Sequence, residues 1–236
     1  LEVNMANSNL GVALIERLCA RNGWDVQSED YDLAVKDVAW FLSQPEIIEL
    51  LPPENADPWV TTFTGKQFYV MRATPDDIDI RDIAHGLSNV CRYAGQCQPF
   101  YSVAEHSIRM CEMVDEAKNW EDPDEYMNCK LTALLHDAAE AYLGDMPSLV
   151  KACMPVYRRI ESYLISVIYA KYRLSSDPLI KTLDEEIRTP EVLSLLVGGH
   201  KGWSLVEAEA DPIIPWSSPM AEMAFLKTFK ELTNGR

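Results

Sequence analysis

The chain has 236 residues, of which 47% are hydrophobic and 25% charged. That balance excludes a wholly disordered chain and is enough for a core that buries roughly 70–75% of the unfolded surface. Its 37 acidic residues outnumber the 21 basic ones and give a net charge of −16, which repels polyanions at long range and argues against long nucleic acids and acidic membranes as partners. A small anion can bind such a chain only where local cations overcome the field. The six cysteines contain no C-x-x-C pair, which leaves no zinc ribbon, thioredoxin-like motif or disulfide scaffold to expect. With no signal peptide and no spanning apolar run, the expectation is a cytoplasmic protein.

Residues 5–58 predict a helical extension. Leu10, Leu14, Ile15 and Leu18 form one apolar face, and Ala34, Val38, Phe41 and Leu42 another. Pro45 restarts a third short helix through Leu51, and Pro52, Pro53 and Pro58 mark a loop. Thr64-Gly65, between Thr61-Thr62-Phe63 and Phe68-Tyr69-Val70, reads as a small β-hairpin. From Asp79 the pattern is helical, with segments 80–93, 102–114, 124–143, 154–172, 177–197 and 218–232. Ser102, Asp124, Asp177 and Ser218 are the expected N-caps. Gly144 is the expected stop of the third segment, and Pro190 is expected to break or kink the fifth. The fold class is all-α, with a hairpin and an N-terminal extension, and residues 59–236 form the main domain.

The chain has four histidines, His85, His106, His136 and His200. His136 is followed by Asp137 inside a strongly apolar stretch, Leu131-Thr-Ala-Leu-Leu-His-Asp-Ala-Ala-Glu-Ala-Tyr. Burying an imidazole and a carboxylate there without a partner costs several kcal/mol, on the order of the penalty for any uncompensated buried polar pair, and a divalent cation satisfies both. Glu140 lies one turn further on, on the same predicted helix face, and Asp145 follows Gly144. His106 and Asp184 sit in apolar helical contexts of their own. Two imidazoles and two carboxylates from three helices suit Mn²⁺, Co²⁺, Fe²⁺ or Zn²⁺, with positions left for water and a substrate oxygen.

His106, His136-Asp137 and Asp184 in that order resemble the His…His-Asp…Asp pattern of the HD-domain metal-dependent phosphohydrolases. The stretches Ile83-Ala-His-Gly-Leu-Ser-Asn-Val-Cys-Arg-Tyr-Ala-Gly-Gln, Phe100-Tyr-Ser-Val-Ala-Glu-His-Ser and His136-Asp-Ala-Ala-Glu-Ala-Tyr-Leu-Gly-Asp-Met-Pro resemble its bacterial and phage nucleotide-hydrolysing branch. So do the hairpin and the tail from Pro215, so that the likeness covers about residues 59–232. It implies an HD-domain helical bundle in which His106, His136, Asp137 and Asp184 hold one divalent ion (Co²⁺, Mn²⁺, Zn²⁺, Fe²⁺ or Mg²⁺). It further implies that Glu140 orients or activates the attacking water, that Asp145 donates a proton to the leaving oxygen, and that Arg92 holds the phosphate. Lys151 is a candidate second phosphate cation. His85 is either a substrate-side residue or a structural one. Some relatives follow the arginine with Trp, where this chain has Tyr93.

The resemblance implies a small-molecule nucleotide substrate and a homo-oligomer. It leaves two reactions open: a 5′-nucleotidase acting on deoxynucleoside monophosphates, and a triphosphohydrolase releasing triphosphate from dNTPs. The second needs more cations, for which Arg109 and Arg158-Arg159 are candidates. A nucleotide-binding regulatory module without catalysis is the alternative of another class, and the intact set of ligands with Glu140 and Asp145 favours the enzyme.

Overall fold

The computed structural model describes residues 59–198, 205 and 212–234. The predicted helices of the N-terminal extension, and His200, lie outside the described residues. Strands β1 (Val60–Thr61) and β2 (Gln67–Phe68) are followed by 3₁₀ turns at Val70–Arg72 and Pro75–Asp77. The helices are α1 (Ile80–Asn89), α2 (Val103–Ala117), α3 (Pro123–Leu135), α4 (Glu140–Leu143), α5 (Ser148–Ala152), α6 (Pro155–Tyr172), α7 (Pro178–Leu195) and α8 (Ser218–Thr233), with a 3₁₀ turn at Arg92–Gly95. The expected all-α class with one hairpin is therefore observed. No helix among the described residues is long and apolar enough to cross a membrane.

The chain divides into two compact units. In the first, β1 and β2 pair antiparallel, with Val60 opposite Phe68 and Thr61 opposite Gln67. Gly65, at φ +83, supplies the left-handed residue that the tight reversal requires. Phe68 is buried, and α6 packs against the two 3₁₀ turns, where the Tyr163 hydroxyl donates to the Ala73 carbonyl at 2.7 Å.

The second unit holds α1 to α4, α7 and α8. Ser102 caps α2 by accepting from the Glu105 amide at 3.1 Å, and Asp177 caps α7 by accepting from the Leu179 amide at 2.9 Å. Two expected caps are displaced by a residue or two. Asp122, not Asp124, caps α3, because Pro123 takes the first helical position, where its missing N–H costs nothing. Ser217, not Ser218, precedes α8. Pro190 does not end α7, which runs on to Leu195. A mid-helix proline forfeits one backbone hydrogen bond, but Glu191, Val192 and Leu195 beyond it are fully buried, and their packing holds the helix together.

Two further departures shape the region around Arg92 and His136. The first predicted segment stops at Asn89, because the chain turns back and Cys91 bridges to Ser102. The Arg92 amide donates to Tyr101 O at 2.9 Å and the Val103 amide to Val90 O at 3.1 Å, which ties Arg92 to the start of α2. The predicted helix 124–143 is interrupted between α3 and α4. There the Ala138 amide donates to Leu135 O, Glu140 to Asp137 O and Tyr142 to Ala139 O, the tighter i→i+3 pattern. His136 Nδ1 lies 2.7 Å from the Ala133 carbonyl, the acceptor that the Asp137 amide would take in a continuous α-helix, and a side chain inserted into the ladder in this way breaks it. The Glu140 amide is tied back to the Asp137 carbonyl at 2.9 Å by this pattern.

Gly144, at φ +80, closes α4 and donates its amide to Glu140 O at 2.8 Å, so the expected stop is observed. Gly86 of α1 lies against α4, and a Cβ there would stand 2.8 Å from both the Cβ and the carbonyl oxygen of Ala141. The neighbour is backbone and cannot swing away. Gly86→Ala is expected to cost roughly 1–3 kcal/mol through overpacking, despite the higher helix propensity of alanine. Urea unfolding checks it, and a variant as stable as the parent would contradict this packing.

Candidate metal centre

Four side chains from three segments meet in the second unit. His106 comes from the first turn of α2, His136 and Asp137 from the interruption after α3, and Asp184 from α7. His106 Nε2 lies 3.3 Å from His136 Nε2, 3.4 Å from Asp184 Oδ1 and 3.7 Å from Asp137 Oδ2. His136 Nε2 lies 3.1 Å from Asp137 Oδ2. His106, His136 and Asp137 form a group able to hold a metal ion, with Asp184 beside it.

The outer nitrogens of both rings are already used. His136 Nδ1 faces the Ala133 carbonyl, which only accepts, so Nδ1 carries the proton. His106 Nδ1 lies 2.7 Å from Glu191 Oε1, a buried carboxylate, and donates to it. Both lone pairs of the neutral rings are then on Nε2 and point at each other across 3.3 Å. Two lone pairs facing at that distance repel unless a cation lies between them, either a proton or a metal ion. A separation of 3.3 Å is compatible with a common ion about 2.1 Å from each nitrogen. The donor set of His106, His136 and Asp137 therefore fits a divalent cation, and Asp184 Oδ1 lies within 3.4 Å of one of its nitrogens.

Arg92 closes the other side. Its NH1 lies 3.5 Å from Asp137 Oδ2, and its NH2 lies 3.9 Å from Asp184 Oδ1 and 3.2 Å from Glu191 Oε2. Burial opposes its charge, yet Glu191 and Asp137 hold it firmly cationic. Arg92 Nε is buried and has no hydrogen-bond partner among the described residues. Leaving a buried charged donor unmade is costly, so an acceptor belongs there. After Arg92 the backbone turns through two non-glycine left-handed residues, Tyr93 at φ 55 and Ala94 at φ 50, each costing about 1–2 kcal/mol. The Tyr93 hydroxyl donates to Glu191 Oε2 at 2.7 Å and holds the turn.

Glu191 was not among the residues that the sequence singled out. It accepts from Arg92, Tyr93, Tyr101 and His106. Its one signal is its spacing: it lies seven residues past Asp184 and thus two turns further along the same helix face. Burial would raise its pKa, but Arg92 and His106 keep the carboxylate ionised well below the usual range. Asp137 is likewise held low against burial, first by His136 and then by His106 and Arg92. Asp184 is lowered by its hydrogen bond with His106.

The remaining candidates fall in different places. Glu140 opens α4 and is buried, and Asp145 follows Gly144, half-buried. His85 Nδ1 lies 3.1 Å from Glu222 Oε2 of α8, an ion-pair geometry with a structural partner. Lys151 belongs to the other unit, and its Nζ lies 2.5 Å from Glu161 Oε1. Arg109 is held by Glu105 Oε1 at 3.0 and 2.7 Å and lies over the Trp216 ring.

No family model matches the chain. It is 35% identical over 185 residues to the uncharacterized protein YfdR of Escherichia coli K12, across 75% of this chain and 97% of that protein. It is 33% identical over 165 residues to an uncharacterized protein of Rhodobacter capsulatus, across 69% of this chain and 82% of the other.

The cluster has a pH signature when metal is withheld. Burial and Arg92 lower the His106 pKa, but Glu191 and the hydrogen bond with Asp184 outweigh them and raise it to about 9 from 6.5. A raised folded-state pKa stabilises the fold fully below the unfolded value, and the contribution is lost as pH rises through the folded one. With chelator present, stability is expected to fall by about 1–3 kcal/mol between pH 6.5 and 9, as read by urea midpoints. His106→Gln should flatten that slope, and an equal slope in the variant would count against the assignment.

Proposed function

The chain belongs to the family of Escherichia coli YfdR, and for it we propose a metal-dependent phosphohydrolase of the HD-domain type that cleaves the 5′-phosphate ester of deoxynucleoside monophosphates. The observation that carries this reading is the convergence of two Nε2 lone pairs and two carboxylates beside a buried arginine whose Nε has no acceptor among the described residues. The first part suits a divalent cation, and the second a phosphate oxygen.

His106, His136, Asp137 and Asp184 hold the cation. When bound, it supplies Lewis-acid chemistry, making a water more acidic and drawing charge from a phosphoryl oxygen. Arg92 binds the phosphate. Asp137 and Asp184 are then committed to the cation, and Glu191 remains as the anchor of the guanidinium. Glu140, buried at the start of α4 three residues past Asp137, takes the proton of the attacking water. Asp145 gives a proton to the leaving nucleoside oxygen. The side chains thus align the attacking oxygen with the phosphorus and neutralise the spreading charge, which is most of what phosphoryl transfer requires of a protein.

The monophosphate is favoured over a triphosphate because two of the candidate cations are engaged elsewhere. Arg109 is clamped by Glu105, and Lys151 is paired with Glu161.

The test is a panel of dNMPs, dNTPs and ribonucleotides with Mn²⁺, Co²⁺, Mg²⁺ or EDTA and identification of the products. Nucleoside plus free phosphate from dNMPs, abolished by EDTA, is the expected result. Nucleoside plus tripolyphosphate from dNTPs would establish the alternative reaction, and no metal-dependent product from any nucleotide would sink both. Asp137→Ala is expected to lower turnover by about 10²–10³-fold, the order of loss when one group that stabilises transition-state charge is removed. A folded variant with full activity would refute the ligand assignment.

A further inference from the structure

Glu191 lies where the two halves of the centre meet, and its bonding is divided between its oxygens. Oε1 accepts from His106 Nδ1 at 2.7 Å and the Tyr101 hydroxyl at 2.9 Å. Oε2 accepts from the Tyr93 hydroxyl at 2.7 Å and Arg92 NH2 at 3.2 Å. The side chain is fully buried, as are Tyr101 and His106. Four donors on one carboxylate leave no room for a protonated or amide form without reversing one of the bonds.

We infer that Glu191 is the positioning residue of the centre: through one oxygen it keeps the proton of His106 on Nδ1, so that Nε2 is free as a ligand, and through the other it anchors Arg92. The inference rests on the metal-site reading and deepens it. Glu191 itself lies behind the ligands and touches neither a cation nor a phosphate. Outer carboxylates of this kind orient a ligating imidazole and commonly account for 10–100-fold of metal affinity.

Glu191→Gln separates this role from simple packing, because the amide has nearly the same shape but only one accepting oxygen. Arg92 cannot accept a hydrogen bond, so its half of the site claims the amide oxygen. The amide NH₂ then faces Tyr101 and His106. A tyrosine hydroxyl can rotate to accept, but His106 Nδ1 can accept only by giving up its proton, and in the neutral ring the proton then resides on Nε2. The nitrogen that faces His136 is thereby blocked.

The experiment is a Co²⁺ titration of the full chain followed by visible absorption, with near-UV circular dichroism as the control for folding. Glu191→Gln is expected to weaken Co²⁺ binding 10–100-fold while the near-UV spectrum is retained. A folded Glu191→Gln protein that binds Co²⁺ within twofold of the parent would overturn the inference and leave the metal site standing. A parent chain that binds no Co²⁺, Mn²⁺ or Zn²⁺ would overturn the metal reading and this inference with it. Should Glu191→Gln not fold, the ¹⁵N spectrum of the Zn²⁺-loaded parent decides: a proton on His106 Nδ1 supports the role, and a proton on Nε2 overturns it.

Discussion

A carboxylate buried without solvent costs several kcal/mol even after relaxation, on the order seen for any unpaired buried ion, unless its lone pairs are filled. Glu191 is such a group, and filling it organises much of the second unit. Its four donors come from the start of α2, from Tyr101 two residues before α2 and from the strained turn at Arg92 and Tyr93. None of these can move independently while the carboxylate stays ionised. The left-handed backbone at Tyr93 and Ala94, which would be unfavourable alone, is held because releasing it would leave Glu191 Oε2 short of a partner. The continuation of α7 past Pro190 has the same origin, since Glu191 is the next residue.

The interruption after α3 is a local answer to a related problem. An imidazole that is to present Nε2 inward must place its Nδ1 proton somewhere. His106 has Glu191 for this, while His136 takes the Ala133 carbonyl from its own helix. That bond uses an acceptor of the α-helical ladder, and the chain tightens into 3₁₀ turns through Ala139. Asp137 is brought beside both rings by the same change, and Glu140 starts a new helix at a different angular position. The inward-facing Nε2 of His136 and the break in the helix are therefore two consequences of one hydrogen bond.

The sequence revealed the ionisable side chains that cluster and hid what orients them. His106, His136, Asp137 and Asp184 were legible because ionisable residues inside apolar helical stretches demand a partner, and that demand shows in the pattern itself. The hairpin, Gly144 and the caps at Ser102 and Asp177 were legible because each depends on a single residue type at one position. Glu191 was not. A glutamate directly after a proline, late in a helix, looks like the solvated end of that helix, and only the tertiary fold shows that it is buried. The split of residues 124–143 was hidden for a similar reason. Every residue from Leu131 to Leu143 tolerates a helix, and the deciding interaction is the Nδ1 contact of His136. Lys151, which charge and spacing nominated as a phosphate cation, is paired with Glu161 in the first unit.

The acidic character of the chain bears on the order in which such a centre can be filled. Without metal, even a protonated His106 leaves Asp137, Asp184 and Glu191 as three negative charges against two positive ones, His106 and Arg92. A phosphate dianion approaching that arrangement meets net repulsion. A divalent cation on Asp137 and Asp184 cancels the local excess and frees Arg92 from two of its three carboxylate neighbours, while Glu191 keeps it in place. On the proposed reading, phosphate affinity is therefore conditional on metal affinity, and by linkage each strengthens the other. A protein with a charge of −16 can then bind a small phosphate ester at this one point while it repels polyanions over the rest of its surface.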